Sequence, residues 1–397
     1  MKSKQIFGLC IYISFFVISV INAIPGTMLT SLIDQYSLQS AAQGAPGAAI
    51  SFGQALALIF LFWQAGRIAK PTIVAFSLAG IAVLLFAVSF MPPFVLLVFL
   101  FALLGIVFGA ISSTSSSMVA DLHPGVDASK YMSRLHGIFG LGGLVAPLFF
   151  MRLLNAGFHW NIALRITGAA IAVLTLLFTL LSRISLKSIE LPKRSGLKVN
   201  KKDFKSFFKR GSNILLVLCV FFYAAHQCVI GVWLVRYVTV FLGSGALGAP
   251  ALSLYWAGVT FSRLFTHRIL PASPIKILLY GNLAAGLVML GGIFSGSAAA
   301  ATVCKLIVGI VNGTTLPVLL ATGCADNDGN TILPTSLLNL AMFIAYVVTP
   351  LAVGVLVDYA SLRSGMLLSA FFALICGSVV FLYIRTKPTG TRSRPLH

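Results

Sequence analysis

The chain has 397 residues, of which 58% are hydrophobic and only 9% are charged. Soluble globular domains carry about 25% charged residues, so this composition excludes a soluble protein and predicts an integral membrane protein. The net charge of +20 would suit nucleic-acid binding, but the basic residues lie between apolar runs, which is typical of membrane topology. We therefore expect a lipid bilayer as partner and no nucleic acid.

Apolar runs of about 20 residues, the length that crosses about 30 Å of hydrocarbon, recur along the whole chain. We predict about twelve membrane spans, all of them α-helical, because a helix satisfies each backbone polar group within its own segment. The predicted spans begin near Ile6, Pro46, Pro71, Phe94, Leu135, Trp160, Asn213, Ala251, Ile275, Ala298, Leu333 and Arg363.

One connection between spans is longer and more basic than the others. Its end, residues 201–210, mixes lysine with phenylalanine, which predicts a polar linker with an amphipathic helix on the membrane surface. The predicted organisation is an N-terminal six-helix bundle over residues 1–182, a basic cytoplasmic linker over 183–212, a C-terminal six-helix bundle over 213–386 and a cytoplasmic tail over 387–397.

Two stretches about 200 residues apart share three landmarks in the same order. The first stretch contains Gly105–Gly109, Asp121 and Pro147, and the second contains Gly309–Gly313, Asp326 and Pro350. A chain that repeats itself at half its length indicates a gene duplication. When each copy holds several spans, this organisation predicts a transporter with its site between the two halves.

The basic residues set the orientation. With the N-terminus taken as cytoplasmic, they collect on the inner connections and tails, and the outer side keeps little more than Arg152 and Arg363. Positive residues stay on the cytoplasmic side, so we predict both termini inside and a plasma (inner) membrane location. A cleaved leader over Met1–Ala23 is an alternative, which the repeat disfavours because the first span would then be missing.

Several segments carry a family resemblance. They are Leu135–Gly140 with Pro147, Thr349–Leu351 with Gly354 and Asp358, Trp256–Leu264, and Asn312–Pro317. With its two six-helix halves and basic central loop, the chain resembles the major facilitator superfamily, and the last two segments are similar to its fucose–glucose–galactose branch. The resemblance implies a monomeric secondary transporter without cofactor, in which helices one, four, seven and ten line a central cavity. Where proton-coupled members of that branch place carboxylates in helices one and four, this chain has Asn22 and the hydroxyl run 112–117.

The few acidic residues all lie in predicted loops or at span ends, so a mid-membrane carboxylate relay is missing. They are Asp34, Asp121, Asp127, Glu190, Asp203, Asp326, Asp328 and Asp358. Cations do enter the predicted spans, at Arg165, Arg236 and Lys305. A charge at that depth costs about 2.5–3.5 kcal/mol, so a substrate with its own negative charge is expected. The alternative is that these side chains extend to the membrane surface.

Amide and hydroxyl groups can replace the water molecules that hydrate a substrate, and a histidine or another cationic side chain can add positive charge to the site. The residues expected to bind substrate are Asn22, Ser113, His226, Gln227, Arg236, Trp256, Lys305, Asn312 and Asn339. The residues expected to be structural or gating are Arg67, Asp121, Arg134, His136, Arg263, Asp326 and Pro350. Packing by small residues is the alternative for the serines, and a hydrogen bond between helices is the alternative for His226. Anchoring at the membrane surface is the alternative for tryptophan.

The sequence therefore predicts an alternating-access transporter of a small polar metabolite, and not an enzyme. The leading substrate class is a small organic anion, moved by exchange or facilitated diffusion because the carboxylate relay is missing. A neutral sugar is the alternative, and a non-transporting receptor or scaffold is a further one. No Walker motif occurs, so ATP-driven transport is not expected. The six cysteines form no C-x-x-C pair, so we expect no metal site.

Overall fold

The computed structural model describes residues 2–63, 67–123, 127–189, 201–269, 273–327 and 332–386. The regular structure in these ranges is helical, as predicted for an all-α membrane protein. The predicted cytoplasmic tail, most of the central linker, and Glu190 and Asp328 lie outside the described residues.

The first six helices form what we call the N-terminal half, with a 3₁₀ turn at Ser40–Gly44 before the second. They are α1 (Lys2–Tyr36), α2 (Ala45–Trp63), α3 (Lys70–Ser89), α4 (Phe94–Leu122), α5 (Asp127–Asn155) and α6 (Trp160–Leu186). The short helix α7 (Lys201–Lys209) follows. The C-terminal half contains α8 (Gly211–Arg236), α9 (Gly245–Ile269), α10 (Pro274–Phe294), α11 (Ala298–Asn312), α12 (Thr315–Asp326), α13 (Ile332–Tyr359) and α14 (Leu362–Thr386).

Eleven segments of the described chain are long and apolar enough to cross a membrane, and α11 with α12 counts as one of them. The remaining predicted span is α9, whose 25 residues would reach about 37 Å at 1.5 Å per residue. It is less apolar because it carries residues such as Trp256 and Arg263. Since α9 packs against α5 and α11, much of it faces protein rather than lipid, which explains its composition.

The outer surface of the helices is covered by large apolar side chains. Val95 is 83% exposed, Phe76 is 75% exposed and Leu176 is 65% exposed. A soluble protein would aggregate through such a surface, whereas a bilayer solvates it. The surface therefore agrees with the spans that the sequence predicts.

The described part of the linker forms helix α7, which packs on the C-terminal half. Phe207 is buried against Leu333 and Leu337 of α13, while the neighbouring Phe208 is exposed. The amphipathic pattern of residues 201–210 is thus used partly for packing against the bundle.

Among the described residues, the halves are joined mainly by α1 with α8, α2 with α13, and α5 with α9, and the 3₁₀ turn at Ser40–Gly44 also contacts α13. Tyr12 near the start of α1 lines a groove with Leu264 near the end of α9. α9 runs antiparallel to α8, and α14 ends beside the start of α8. The start of α1 and the end of α14 therefore lie at one side of the bundle. We call this side the termini face and the other side the opposite face.

Candidate functional site

A glutamine and three tyrosines meet in the C-terminal half. The Nε2 atom of Gln227 donates to the hydroxyls of Tyr223 at 3.3 Å and Tyr255 at 3.4 Å. The hydroxyl of Tyr346 donates to Gln227 Oε1 at 2.5 Å. These four residues, from α8, α9 and α13, are called the glutamine–tyrosine cluster. Gln227 was predicted to bind substrate, whereas Tyr223, one helical turn before it, was missed.

Arg263 lies beside this cluster. Its guanidinium interacts electrostatically with the hydroxyls of Tyr223, Tyr255 and Tyr346, and its Nε donates to the carbonyl oxygen of Gly313 at 3.1 Å. No carboxylate pairs with Arg263 among the residues that the structure describes. A half-buried cation surrounded by hydroxyls is suited to bind an anion.

The Gly313 carbonyl is available to Arg263 because the tenth span is broken. α11 ends at Asn312 and α12 begins at Thr315. In a continuous helix the Gly313 carbonyl would accept from the backbone N–H of residue 317, but Pro317 has none. The break therefore follows from local sequence, and it exposes a carbonyl next to the cluster.

Asn312, expected to bind substrate, sits at this break. It is fully buried, and neither its Oδ1 nor its Nδ2 has a hydrogen-bond partner in the described chain. Nearby, Asn282 of α10 donates to the hydroxyl of Thr315 at 3.0 Å. A buried amide without partners is costly, so Asn312 has free capacity for a ligand or water.

Lys305 and His226 lie elsewhere, inside the C-terminal half. Lys305 is 1% exposed and His226 is fully buried, so Lys305 does not extend to the membrane surface. The two side chains interact electrostatically. The His226 ring contacts Ser369 of α14 rather than the glutamine–tyrosine cluster. The structure thus separates the predicted pair His226–Gln227, whose side chains point to different neighbours.

Trp256 connects the halves. Its ring contacts Phe139 of α5 and Tyr255, each with a centroid distance of 5.7 Å and edge-on geometry.

The predicted residues Asn22 of α1 and Ser113 of α4 are half-buried and make no hydrogen bond with other described residues. Asn339 of α13 is half-buried in the same way. Of the predicted residues, Gln227, Trp256 and Arg263 lie close together, because each of them interacts with Tyr255.

The halves are in tight contact at the opposite face. Asp358 of α13 accepts hydrogen bonds from the backbone N–H of Ser40, from the Ser40 hydroxyl at 3.0 Å and from Gln43 Nε2 at 2.7 Å. A side chain at Gly44 would overlap the carbonyl of Pro350, so only glycine permits this approach. Pro350 was expected to be structural or gating, and that role stays a prediction.

Arg236, expected to bind substrate, also lies at the opposite face. It interacts electrostatically with Asp34 and Asp358, and its buried Nε makes no hydrogen bond within the described residues. Arg165 and Arg363 lie over the rings of Phe90 and Phe294, a placement that fits the membrane-surface alternative.

An ion pair in the N-terminal half and hydrogen bonds in the C-terminal half connect helices at the termini face. Lys70 forms an ion pair with Asp121. Asp326 accepts from the hydroxyl of Tyr383 through its carboxylate, and from Arg210 at 2.6 Å through its backbone carbonyl. Both aspartates were expected to be structural or gating residues that lock helices together, and those roles stay predictions.

The other residues expected to be structural lie close to the same face. Arg134 stacks over the ring of Tyr131 at 5.0 Å, and His136 contacts the ring of Phe15 edge-on at 5.5 Å. Arg67 is exposed just after α2. Their roles stay predictions.

Residues 11–326 match the family described as the Major Facilitator Superfamily. The chain therefore belongs to the major facilitator superfamily, which confirms the family that its sequence resembles. Membership makes it a multi-pass membrane transporter rather than an enzyme. No curated protein sequence matches the chain.

Solved structures are similar over almost the whole chain. A bacterial homolog of the human lysosomal transporter Spinster, inward-facing and unoccupied, has a TM-score of 0.78 at 15% identity, covering 96% of this chain and 97% of that one. FucP in the outward conformation has a TM-score of 0.65 at 16% identity, covering 96% of this chain and 99% of that one. At such identities the similarity concerns the fold.

Proposed function

We propose that this transporter carries a small organic anion and binds it between the two halves, at the glutamine–tyrosine cluster, with Arg263 as the counter-charge. The observation that carries the proposal is Arg263 itself, a half-buried guanidinium with no carboxylate partner in the described chain. A cation at membrane depth costs about 2.5–3.5 kcal/mol. A carboxylate substrate offsets that cost, because the planar guanidinium matches its two oxygens.

The remaining groups bind the rest of the substrate. The tyrosine hydroxyls and the Gln227 amide can donate to and accept from a polar solute, and the Asn312 amide is unpartnered and buried. In the conformation observed, contacts between the halves close the opposite face. The substrate then enters or leaves at the termini face, which we propose is cytoplasmic.

A neutral sugar is the second candidate. Trp256 places an indole ring next to the cluster, and an aromatic ring beside amides suits a hexose. The structural similarity to FucP, named a fucose:proton symporter, supports this candidate. Both candidates use the same residues, and they differ in whether Arg263 needs a negative charge on the substrate.

Uptake by the purified protein in proteoliposomes tests the proposal. We expect uptake of at least one labelled acid among lactate, malate and citrate, and no competition by glucose or fucose. Arg263→Gln should lower that uptake at least tenfold. Arg165→Gln removes a cation that lies over Phe90, in the other half, and should leave uptake within twofold. Hexose uptake that Arg263→Gln leaves unchanged would instead support the sugar.

A further inference from the structure

A groove lies between the two halves, toward the termini face, and opens to the outside of the bundle. Its volume is about 280 Å³, and it is lined by Tyr12 of α1, by Arg134, Gly137, Ile138 and Leu141 of α5, and by Thr260 and Leu264 of α9. Leu141 is 41% exposed and Leu264 is 38% exposed, so the groove faces the surrounding lipid. It shares no residue with the proposed substrate site.

Close packing of α5 against α9 forms the floor of this groove. A side chain at Gly140 would overlap the hydroxyl of Thr260, and a Cβ at Gly137 would lie 3.3 Å from a methyl carbon of Leu264. Small residues allow two helices to approach in this way. Gly137 and Thr260 are buried at the contact, whereas the exposed leucines stand on either side of it and form the walls.

The groove changes from polar to apolar along its length. Arg134 is exposed at the start of the apolar span of α5, and it forms no ion pair with a described carboxylate. Its guanidinium interacts electrostatically with the hydroxyl of Tyr12. Leu141 lies seven residues further along α5, which is about 10 Å deeper in the membrane at 1.5 Å per residue. A cation therefore lies at the membrane surface, above an apolar channel.

A second groove provides a comparison. It lies between α2, α4 and α13, has a volume of about 410 Å³, and its described lining consists of alanine, valine, leucine and phenylalanine. Such a lining accepts an acyl chain but does not distinguish one lipid headgroup from another. Only the groove between α5 and α9, of these two, combines an apolar channel with a positive charge.

We propose that the groove between α5 and α9 binds an anionic phospholipid of the surrounding bilayer, with its phosphate on Arg134 and one acyl chain between Leu141 and Leu264. A guanidinium can donate two parallel hydrogen bonds to phosphate oxygens. The cytoplasmic leaflet, which we propose the termini face meets, is the leaflet that carries anionic lipid. The bound chain contacts both halves. This inference goes beyond the proposed function and does not depend on the substrate.

The first test compares two lipids that differ only in headgroup. Native mass spectrometry follows the binding of phosphatidylglycerol and of phosphatidylcholine with identical acyl chains to the purified protein. We expect phosphatidylglycerol to bind about fivefold more tightly, which is the effect of one basic residue near an anionic membrane surface. Arg134→Gln should bring the two affinities within about twofold of each other.

Arg183→Gln is the matched control for this measurement. It also removes one exposed cation, from the last turn of α6, and Arg183 lines neither described groove. The preference for phosphatidylglycerol should therefore stay at its wild-type value. Equal binding of the two lipids by the wild-type protein would overturn the proposal, and so would a preference that survives in Arg134→Gln.

The second test locates the acyl chain. Phosphatidylglycerol with a photoreactive diazirine on one chain is crosslinked to the protein in lipid bilayers, and the labelled peptides are identified by mass spectrometry. We expect residues 137–141 and 260–264 to be labelled more by this lipid than by phosphatidylcholine with the same diazirine. The residues of the second groove should be labelled equally by both lipids. Equal labelling at both grooves would overturn the proposal.

Filling the groove should remove the lipid. Leu141→Trp should lower the labelling of residues 260–264 about fivefold, whereas Leu177→Trp, at an exposed leucine of α6, should leave it unchanged. An excess of decanoate should also leave it unchanged. Displacement by decanoate would overturn the proposal and assign the groove to an amphiphilic acid. Absence of labelling at both segments would overturn it as well, because another copy of the chain would then cover the groove.

Discussion

The N-terminal half buries only neutral polar side chains in its described residues, whereas the C-terminal half also buries a lysine without a partner, and a histidine and an asparagine with unsatisfied atoms. In the first half Ser14 bonds the Ile11 carbonyl and approaches Ser115 at 3.1 Å. In the second half Asn312 and one nitrogen of His226 are unsatisfied. The sequence repeat predicts that the halves descend from one bundle, and on that prediction one copy kept the scaffold role while the other acquired the chemistry.

The largest effect should come from breaking the polar contacts of the C-terminal half. Gln227→Leu removes three hydrogen bonds to tyrosines, each worth about 0.5–1.5 kcal/mol. We expect carboxylate uptake in proteoliposomes to fall roughly tenfold to a hundredfold. Ser113→Ala, the matched change in the N-terminal half, should alter uptake less than twofold. Equal losses from both variants would show that the halves contribute alike.

The sequence was sufficient for the architecture because span length and apolarity are local properties. The starts of α4, α6 and α11 at Phe94, Trp160 and Ala298 match the prediction to the residue. The start of α5 at Asp127 was missed, because its first two turns are polar. The starts of the helices follow from the thickness of the bilayer, which sets the same length for every span.

The site was only partly predictable. Gln227 and Trp256 are polar or large groups in apolar runs and were recognised as candidates. Tyr223 was missed, because an aromatic residue within an apolar run is typical of the core. The contact between His226 and Ser369 joins residues 143 positions apart, and no local pattern indicates it. The break after Asn312 was also missed, although Gly313 and Pro317 are its local cause.

A smaller effect should come from the contact between the halves at the opposite face. Asp358→Ala removes three hydrogen bonds that cross from one half to the other. Bonds to a charged group contribute about 1.5–3 kcal/mol each. The loss of even one of them therefore shifts the equilibrium between the closed and open conformations about tenfold toward the open one. We expect a longer distance between spin labels at residues 35 and 360, both exposed at that face.

Asp34→Asn is the matched control for this measurement. Asp34 is also an exposed acid that interacts with Arg236, but no hydrogen bond joins its side chain to the other half in the described chain. The label distance should stay at its wild-type value in this variant. An unchanged distance in Asp358→Ala would mean that other contacts, such as that of Gly44 with the Pro350 carbonyl, suffice to keep this face closed.

The smallest effect concerns the two aspartates that occupy equivalent places in the repeat. Asp121 pairs with Lys70, and both side chains are partly exposed, so this ion pair is worth about 0.2–1 kcal/mol. Asp326 accepts from the buried Tyr383 hydroxyl, and a hydrogen bond to a charged group contributes about 1.5–3 kcal/mol. Thermal unfolding in detergent should therefore show a larger loss of stability for Asp326→Asn than for Asp121→Asn.

Salt screens an exposed ion pair. Added salt should therefore reduce the loss of stability in Asp121→Asn and leave the loss in Asp326→Asn nearly unchanged. The reverse order of stabilities would mean that the N-terminal half depends on its charges more than the C-terminal half does.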